Sequence, residues 1–167
     1  MRYLIVTLSL FGSLILESTL LEEFKVAGAK PDLLLIFVVF WALFYGKVEG
    51  AKLGFIFGLA EDLFVSRFIG LNVLCKMGVG YLVGMMENKF FKENFLVPAF
   101  TLFVATIINN IFYLAIIQVA GVGQNLAVFI WEATIPTAIY NACLSFLFYG
   151  KFYDLATKGY LGPGRRS

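Results

Sequence analysis

The stretch PDLLLIFVVFWALFYGKVEGAKLGFIFGLAEDLF, residues 31–64, decides the fold class of this chain. It contains the apolar run 33–45 and all but the last residue of a second run, 51–65, and we place a short turn between them at residues 46–50. Pro31 suits the first turn of a helix and predicts where the first run begins. A helix crossing a hydrocarbon core of about 30 Å needs about 20 mostly apolar residues. Both runs are shorter, so we expect tilted or sheltered helices, or alternatively a re-entrant pair.

The composition of the whole chain indicates an integral membrane protein. Of 167 residues, 60% are hydrophobic and 14% are charged, and the mean hydropathy is +0.87. Soluble domains typically carry roughly 25% charged residues. This balance excludes a disordered chain, a disulfide scaffold and a nucleic-acid binder with a basic face. The absence of histidine excludes imidazole chemistry, and Cys75 and Cys143 lie in apolar stretches as packing residues, so we expect no metal site, no cofactor and no enzyme.

Hydropathy predicts an all-α bundle of six transmembrane helices that form a single transmembrane domain, residues 1–167. The first run is too polar at its end and lacks a small-residue cleavage site, so we interpret it as a retained helix rather than a cleaved signal. With six crossings, nine Lys and Arg residues lie on one side and three on the other, and the positive-inside rule then places both termini in the cytoplasm. Five crossings would move the basic C-terminal tail outside. The predicted helices are 3–21, 31–46, 50–66, 70–87, 95–119 and 132–154.

Glycines recur at a spacing of four in the third and fourth predicted helices. Residues four apart share one slowly drifting stripe of a helix, and glycine allows another helix to approach closely. Two interpretations remain open: packing between these two helices, or a docking face for a partner's helix. The glycines are Gly50, Gly54 and Gly58 in the third helix and Gly80 and Gly84 in the fourth.

Ionisable residues inside the apolar runs are the strongest functional signal. A charge at the centre of a membrane costs about 2.5–3.5 kcal/mol on insertion scales and should have a partner. Glu61, Asp62 and Lys76 lie on consecutive runs, at comparable distances from the turn that joins them. We therefore expect an ion pair of Lys76 with Asp62 or Glu61, the alternative being side chains that snorkel to the interface.

Four further polar residues complete a candidate intramembrane polar network. Intramembrane asparagine usually hydrogen-bonds across helices, for about 1 kcal/mol, and the alternative is the polar lining of a cavity. No catalytic arrangement is visible, since Glu61 and Asp62 point about 100° apart on a helix. The four residues are Asn109, Asn110, Glu132 and Asn141.

The order of these motifs resembles the bacterial rod shape-determining MreD family. Members typically open the second helix with Pro and then Asp or Asn, matched by Pro31 and Asp32, and follow with a glycine ladder that leads to an acidic residue, here Asp62. Later motifs are matched by Gly70 with Asn72 and by Gly80 with Tyr81 and Gly84. The resemblance covers residues 31–86, and Glu61 and Lys76 are departures from the family pattern.

The resemblance implies a non-enzymatic subunit of the cell-elongation machinery, multi-pass in the cytoplasmic membrane. Such proteins pair with the single-span protein MreC, and the two link the MreB filament to RodA and its penicillin-binding transpeptidase. Membrane lipids are further partners. As candidate surfaces for MreC we take the glycine face and the apolar connector 121–131, which has no Lys or Arg. The alternative for the connector is a loop that lies among the lipid headgroups.

The family is also similar to the six-helix S-components of energy-coupling-factor vitamin transporters. This likeness supplies the expected bundle and an alternative function, capture of a small solute between the helices. S-components often have an Ala-xxx-Ala face in the first helix, where this chain has only Ser9 and Ser13.

Overall fold

The computed structural model describes residues 2–20, 30–64, 66, 69–87, 96–121 and 125–157, and every regular element in these ranges is helical. The predicted all-α class is therefore confirmed, and three stretches are long and apolar enough to cross a membrane: Leu33–Phe64, Leu96–Val119 and Leu126–Thr157. Ile5–Ile15 and Leu71–Gly84 are shorter apolar helices. The elements are α1 (Arg2–Ile15) with a π-helical turn (Leu16–Leu20), α2 (Leu33–Phe64), α3 (Leu71–Gly84), α4 (Leu96–Val119), α5 (Leu126–Val128) with a π-helical turn (Phe129–Thr134), and α6 (Ile135–Thr157).

Helix α2 is a hairpin of two antiparallel arms, 33–45 and 47–64. Gly46 is non-helical, with φ 82° and ψ −177°, a conformation that glycine adopts without steric cost. Asp32 and Glu61 meet at Lys76, although a straight helix would separate them by more than about 40 Å. The predicted turn at 46–50 is therefore wrong in length, because Gly46 alone reverses the chain and the helix resumes at Lys47.

The first arm of α2 forms the centre of the core. Its residues Leu34 to Ile36 and Val38 to Phe40 are completely buried. The ring of Phe40 packs edge-on against Tyr149 of α6, with centroids 5.2 Å apart, and lies 5.6 Å from the ring of Phe152. This burial on all sides explains why the arm has an unbroken apolar sequence with no polar face.

The second arm of α2 packs along α3 through glycine. A Cβ added at Gly50, Gly54 or Gly58 would overlap backbone atoms of α3 at Gly80, Lys76 and Asn72 respectively. Added at Gly80 or Gly84, it would overlap backbone atoms of Gly50 or Lys47. We call these five glycines the glycine seam. The structure thus places α3, a helix of the same chain, on the face that was also considered for partner docking.

Two helix boundaries correct the sequence interpretation. The last helical stretch begins at Leu126 rather than 132, because the Asn125 side chain accepts hydrogen bonds from the backbone of Ala127 and Val128 and caps it. The connector 121–131 is consequently helical from residue 126 onward. α3 ends at Gly84 and continues only as a turn to Glu87. The predicted end of the first helix, residue 21, and the predicted start of the fifth, residue 95, lie outside the described ranges.

Candidate functional site: a polar cluster around Lys76

Lys76 is completely buried and pairs with two carboxylates. Its Nζ lies 3.0 Å from Glu61 Oε2 and donates a hydrogen bond to Asp32 Oδ2. The α2 hairpin brings the two acids together, because Asp32 precedes the first arm and Glu61 lies near the end of the second. Of the two carboxylates considered as partners of Lys76, the structure brings Glu61 to it. The second partner, Asp32, was matched only to a family motif and was missed as an ion-pair partner.

Asp32 also begins a chain of hydrogen bonds across three helices. Its Oδ1 accepts from Leu35 N at 2.7 Å and caps the first arm of α2, while its backbone N donates to Asn141 Oδ1 at 2.9 Å. Asn141 Nδ2 in turn donates to Thr106 Oγ1 of α4 at 3.0 Å. Asn141 therefore joins α2, α4 and α6, a cross-helix role of the kind considered for it.

Asp62 caps α3 and does not pair with Lys76. Its carboxylate accepts from the backbone N of Gly70, Asn72 and Val73 at 2.8–3.2 Å and from Asn72 Nδ2 at 2.9 Å. Gly70 has φ 104°, which explains the glycine at this motif position. The expectation of an Asp62–Lys76 pair is therefore wrong, because adjacent residues point about 100° apart on a helix and Asp62 faces the open amides of the next helix.

Glu17 joins the cluster from the π-helical turn that follows α1, and the sequence interpretation missed it. It is buried, and its Oε1 accepts from Leu34 N at 3.1 Å. In the sequence interpretation Glu17 is only one of the polar residues that argue against a cleaved signal. A carboxylate at the end of an apolar helix was the available signal, but nothing in the sequence indicated which backbone amide it would reach.

These groups border a polar cavity of about 390 Å³ between α2, α3, α4 and the start of α6. Asn109 is buried, and its Oδ1 has no hydrogen-bond donor in the described part of the chain. The neighbouring Asn110 donates weakly to Thr134 Oγ1 at 3.4 Å. The lining residues are Glu17, Lys30, Pro31, Asp32, Glu61, Ser66, Leu71, Asn72, Asn109, Asn110, Tyr113, Phe129 and Thr137.

Two predicted site residues lie away from this cluster. Glu132 is exposed in the π-helical turn before α6 and does not line the cavity. Tyr81 is exposed on α3, with Lys47 Nζ 6.0 Å from the centre of its ring. Within the described ranges, no group of three or more His, Cys, Asp and Glu residues is arranged to hold a metal ion.

Comparison with known proteins identifies the family of this chain. Residues 1–158 match the family model of the rod shape-determining protein MreD. Neither a search of curated proteins nor a search of solved structures returned a significant match. The family match extends well beyond residues 31–86, the stretch on which the motif resemblance was based. The chain therefore belongs to the MreD family of rod shape-determining membrane proteins.

Proposed function

We propose that this protein is a non-enzymatic subunit of the bacterial cell-elongation complex that binds MreC in the cytoplasmic membrane. Through MreC it would connect the MreB filament to RodA and its penicillin-binding transpeptidase, and so organise peripheral peptidoglycan synthesis. The observation that carries this proposal is the family match over residues 1–158. The family is one of shape-determining membrane proteins and is not a known enzyme family.

The proposed topology is a single domain of six crossings with both termini in the cytoplasm. The α2 hairpin supports it, because one long apolar stretch supplies two antiparallel arms. The first arm is shorter than a usual span, but its side chains face protein rather than lipid, which relaxes the length requirement. The excess of Lys and Arg on one side supports the orientation.

This orientation assigns the two ends of the α2 hairpin to opposite sides of the membrane. The turn at Gly46 lies toward the cytoplasm in this proposal, and the polar cluster around Lys76 lies toward the periplasm. Cysteine labelling tests this orientation. Lys47→Cys and Lys30→Cys variants are treated with a thiol-reactive reagent that does not cross the membrane. We expect the Lys30 variant to be labelled in intact cells and the Lys47 variant to be labelled only after lysis. The reverse pattern would contradict the orientation.

For MreC we propose contact with the exposed helical start of the last helix. The glycine seam is already filled by α3, which leaves the second candidate surface, the connector 121–131. Leu126, Val128 and Trp131 are exposed there, and the segment has no Lys or Arg. Large exposed aromatic side chains are typical anchors of protein interfaces.

Co-purification discriminates between this function and the alternative, a transporter S-component. The full chain is expressed with the MreC of the same cell and, separately, with an energy-coupling module, and both are extracted in mild detergent. Recovery of MreC but not of the module is expected. Stable co-elution with the module, together with saturable vitamin binding, would overturn the proposal.

A further inference from the structure

The walls of the polar cavity carry an excess of hydrogen-bond acceptors. Three carboxylates line it, those of Glu17, Asp32 and Glu61, whereas Lys30 is the cationic residue among the described lining groups. Lys76 lies beneath the wall, fully buried, and its ammonium group is already held by two of these carboxylates. Among the described residues of the cavity and its wall, three carboxyl groups therefore face two cationic side chains.

Asn109 gives an independent indication that something binds here. The residue is only 5% exposed, lines the cavity, and has an Oδ1 without a donor among the described residues. A buried amide oxygen that accepts no hydrogen bond destabilises the folded protein. A ligand with N–H donors would remove that cost.

Two aromatic residues in the cavity wall indicate the charge of the ligand. Tyr113 and Phe129 line the same cavity, with their rings stacked at 6.3 Å between centroids. Aromatic ring faces attract cations and not anions. Carboxylates buried without a full complement of cations are also costly, and a bound cation offsets this cost.

We propose that the cavity binds the ammonium group of a small amine, with Asn109 Oδ1 and the Glu61 carboxylate as acceptors. Its volume lies in the range of small-molecule sites, about 300–1,000 Å³, and exceeds what a bare ion needs. The same ammonium group occurs in free amines and in the headgroup of phosphatidylethanolamine. The proposal goes beyond binding of MreC and does not depend on it.

The test is calorimetric titration of the purified full-length chain, together with its thermal unfolding. Putrescine and short-chain phosphatidylethanolamine are compared with matched molecules that lack an ammonium group, butanediol and short-chain phosphatidylglycerol. Saturable binding of putrescine indicates a free amine, and binding of phosphatidylethanolamine alone indicates the lipid headgroup. Either result supports the proposal. Absence of both up to roughly 10 mM, where even millimolar sites are filled, or equal binding of the matched molecules, would overturn it.

Substitutions at one position test the assigned acceptor. Asn109→Leu keeps the volume but removes the oxygen, and binding of the active probe should weaken at least about 10-fold, since each factor of ten is about 1.4 kcal/mol. Asn109→Asp adds a negative charge and should strengthen binding several-fold. Gln118→Leu removes an amide from the same helix outside the cavity and should leave binding unchanged. Equal affinity in all three variants, each folded, would contradict the assignment.

The proposal of amine binding and the proposal of MreC binding can be rejected independently of each other. Capture of MreC is measured on the same preparations, with and without the amine. Loss of amine binding with MreC capture intact rejects only the cavity proposal, and the converse rejects only the proposed partner.

Discussion

The α2–α3 pair is held together by opposite means at its two ends. Toward Gly46 the helices meet backbone to backbone, Gly50 against Gly80 and Lys47 against Gly84. Toward Asp32 and Asn72 the same helices are joined by buried charges and hydrogen bonds. The end near Gly46, the glycine end, therefore depends on the absence of a Cβ. The polar end, where Gly58 also contacts backbone, depends in addition on charge balance and hydrogen-bond geometry.

Breaking the charge balance of the polar end should have the largest effect. Lys76→Met leaves the partly buried carboxylates of Asp32 and Glu61 without their cation and should lower the free energy of unfolding by about 3 kcal/mol or more. Lys52→Met is the control, because its ion pair with Glu49 is exposed and worth less than about 1 kcal/mol. Unfolding in detergent, followed by circular dichroism, measures both.

A combined variant shows whether charge causes this loss. Asp32→Asn with Glu61→Gln, added to Lys76→Met, removes the uncompensated carboxylates and should recover part of the stability. If the combined variant were less stable than Lys76→Met alone, charge imbalance would not be the cause.

Substitution within the glycine seam should destabilise the α2–α3 pair through steric overlap. Gly54→Ala places a Cβ against the backbone of α3 at Lys76, which must move, at a cost of roughly 3 kcal/mol. Gly12→Ala in α1 is the matched control, because its Cβ would meet no atom of the described residues within 4 Å. The yield of monodisperse protein and its unfolding midpoint are the readouts. A Gly54→Ala variant as stable as Gly12→Ala would refute the seam.

The cap of α3 should contribute less than the ion pair. Asp62→Asn keeps the shape of the side chain but replaces one acceptor oxygen with a donor facing backbone amides, and should cost about 2 kcal/mol. Glu49→Gln, on an exposed face of α2, serves as control. Hydrogen exchange at the first turn of α3 localises the effect, and unchanged protection there would contradict the capping role.

The smallest effect is expected at Asn141. Asn141→Leu removes one hydrogen bond to Thr106 and one from the backbone of Asp32. Interhelical hydrogen bonds in membranes average about 0.6 kcal/mol each, so the loss should be about 1 kcal/mol. The unfolding midpoint should fall slightly, with no change in yield. A loss as large as that of Lys76→Met would place Asn141 at the centre of the cluster instead.

Local sequence patterns predicted apolar helices and one close contact between them, but not the reversal of the chain within α2. Runs of apolar residues indicated the helices, and the spacing of Gly50, Gly54 and Gly58 indicated a close helix contact. The single-residue turn at Gly46 was not predictable, because Lys47 and Glu49 are equally compatible with a longer polar turn.

The polar cluster was predictable only in part. Lys76 and Glu61 were identified because charges in apolar helices need partners. Asp32 lies 44 positions from Lys76 in sequence, and only the reversal at Gly46 brings the two together. The positions of Glu17 and of the unpartnered Asn109 oxygen depend on how four helices pack together. No residue spacing in the sequence indicates that packing.

The central claim is most directly tested by the affinity of this chain for MreC in lipid nanodiscs. Trp131→Ala removes an aromatic side chain that is 72% exposed from the proposed contact. As a control, Leu147→Ala removes an aliphatic side chain that is 69% exposed from α6. The account predicts saturable binding by the unmodified protein, affinity reduced at least about 30-fold by Trp131→Ala, the loss expected for an interface anchor, and no change with Leu147→Ala. Absence of MreC binding by the unmodified, folded protein would contradict it.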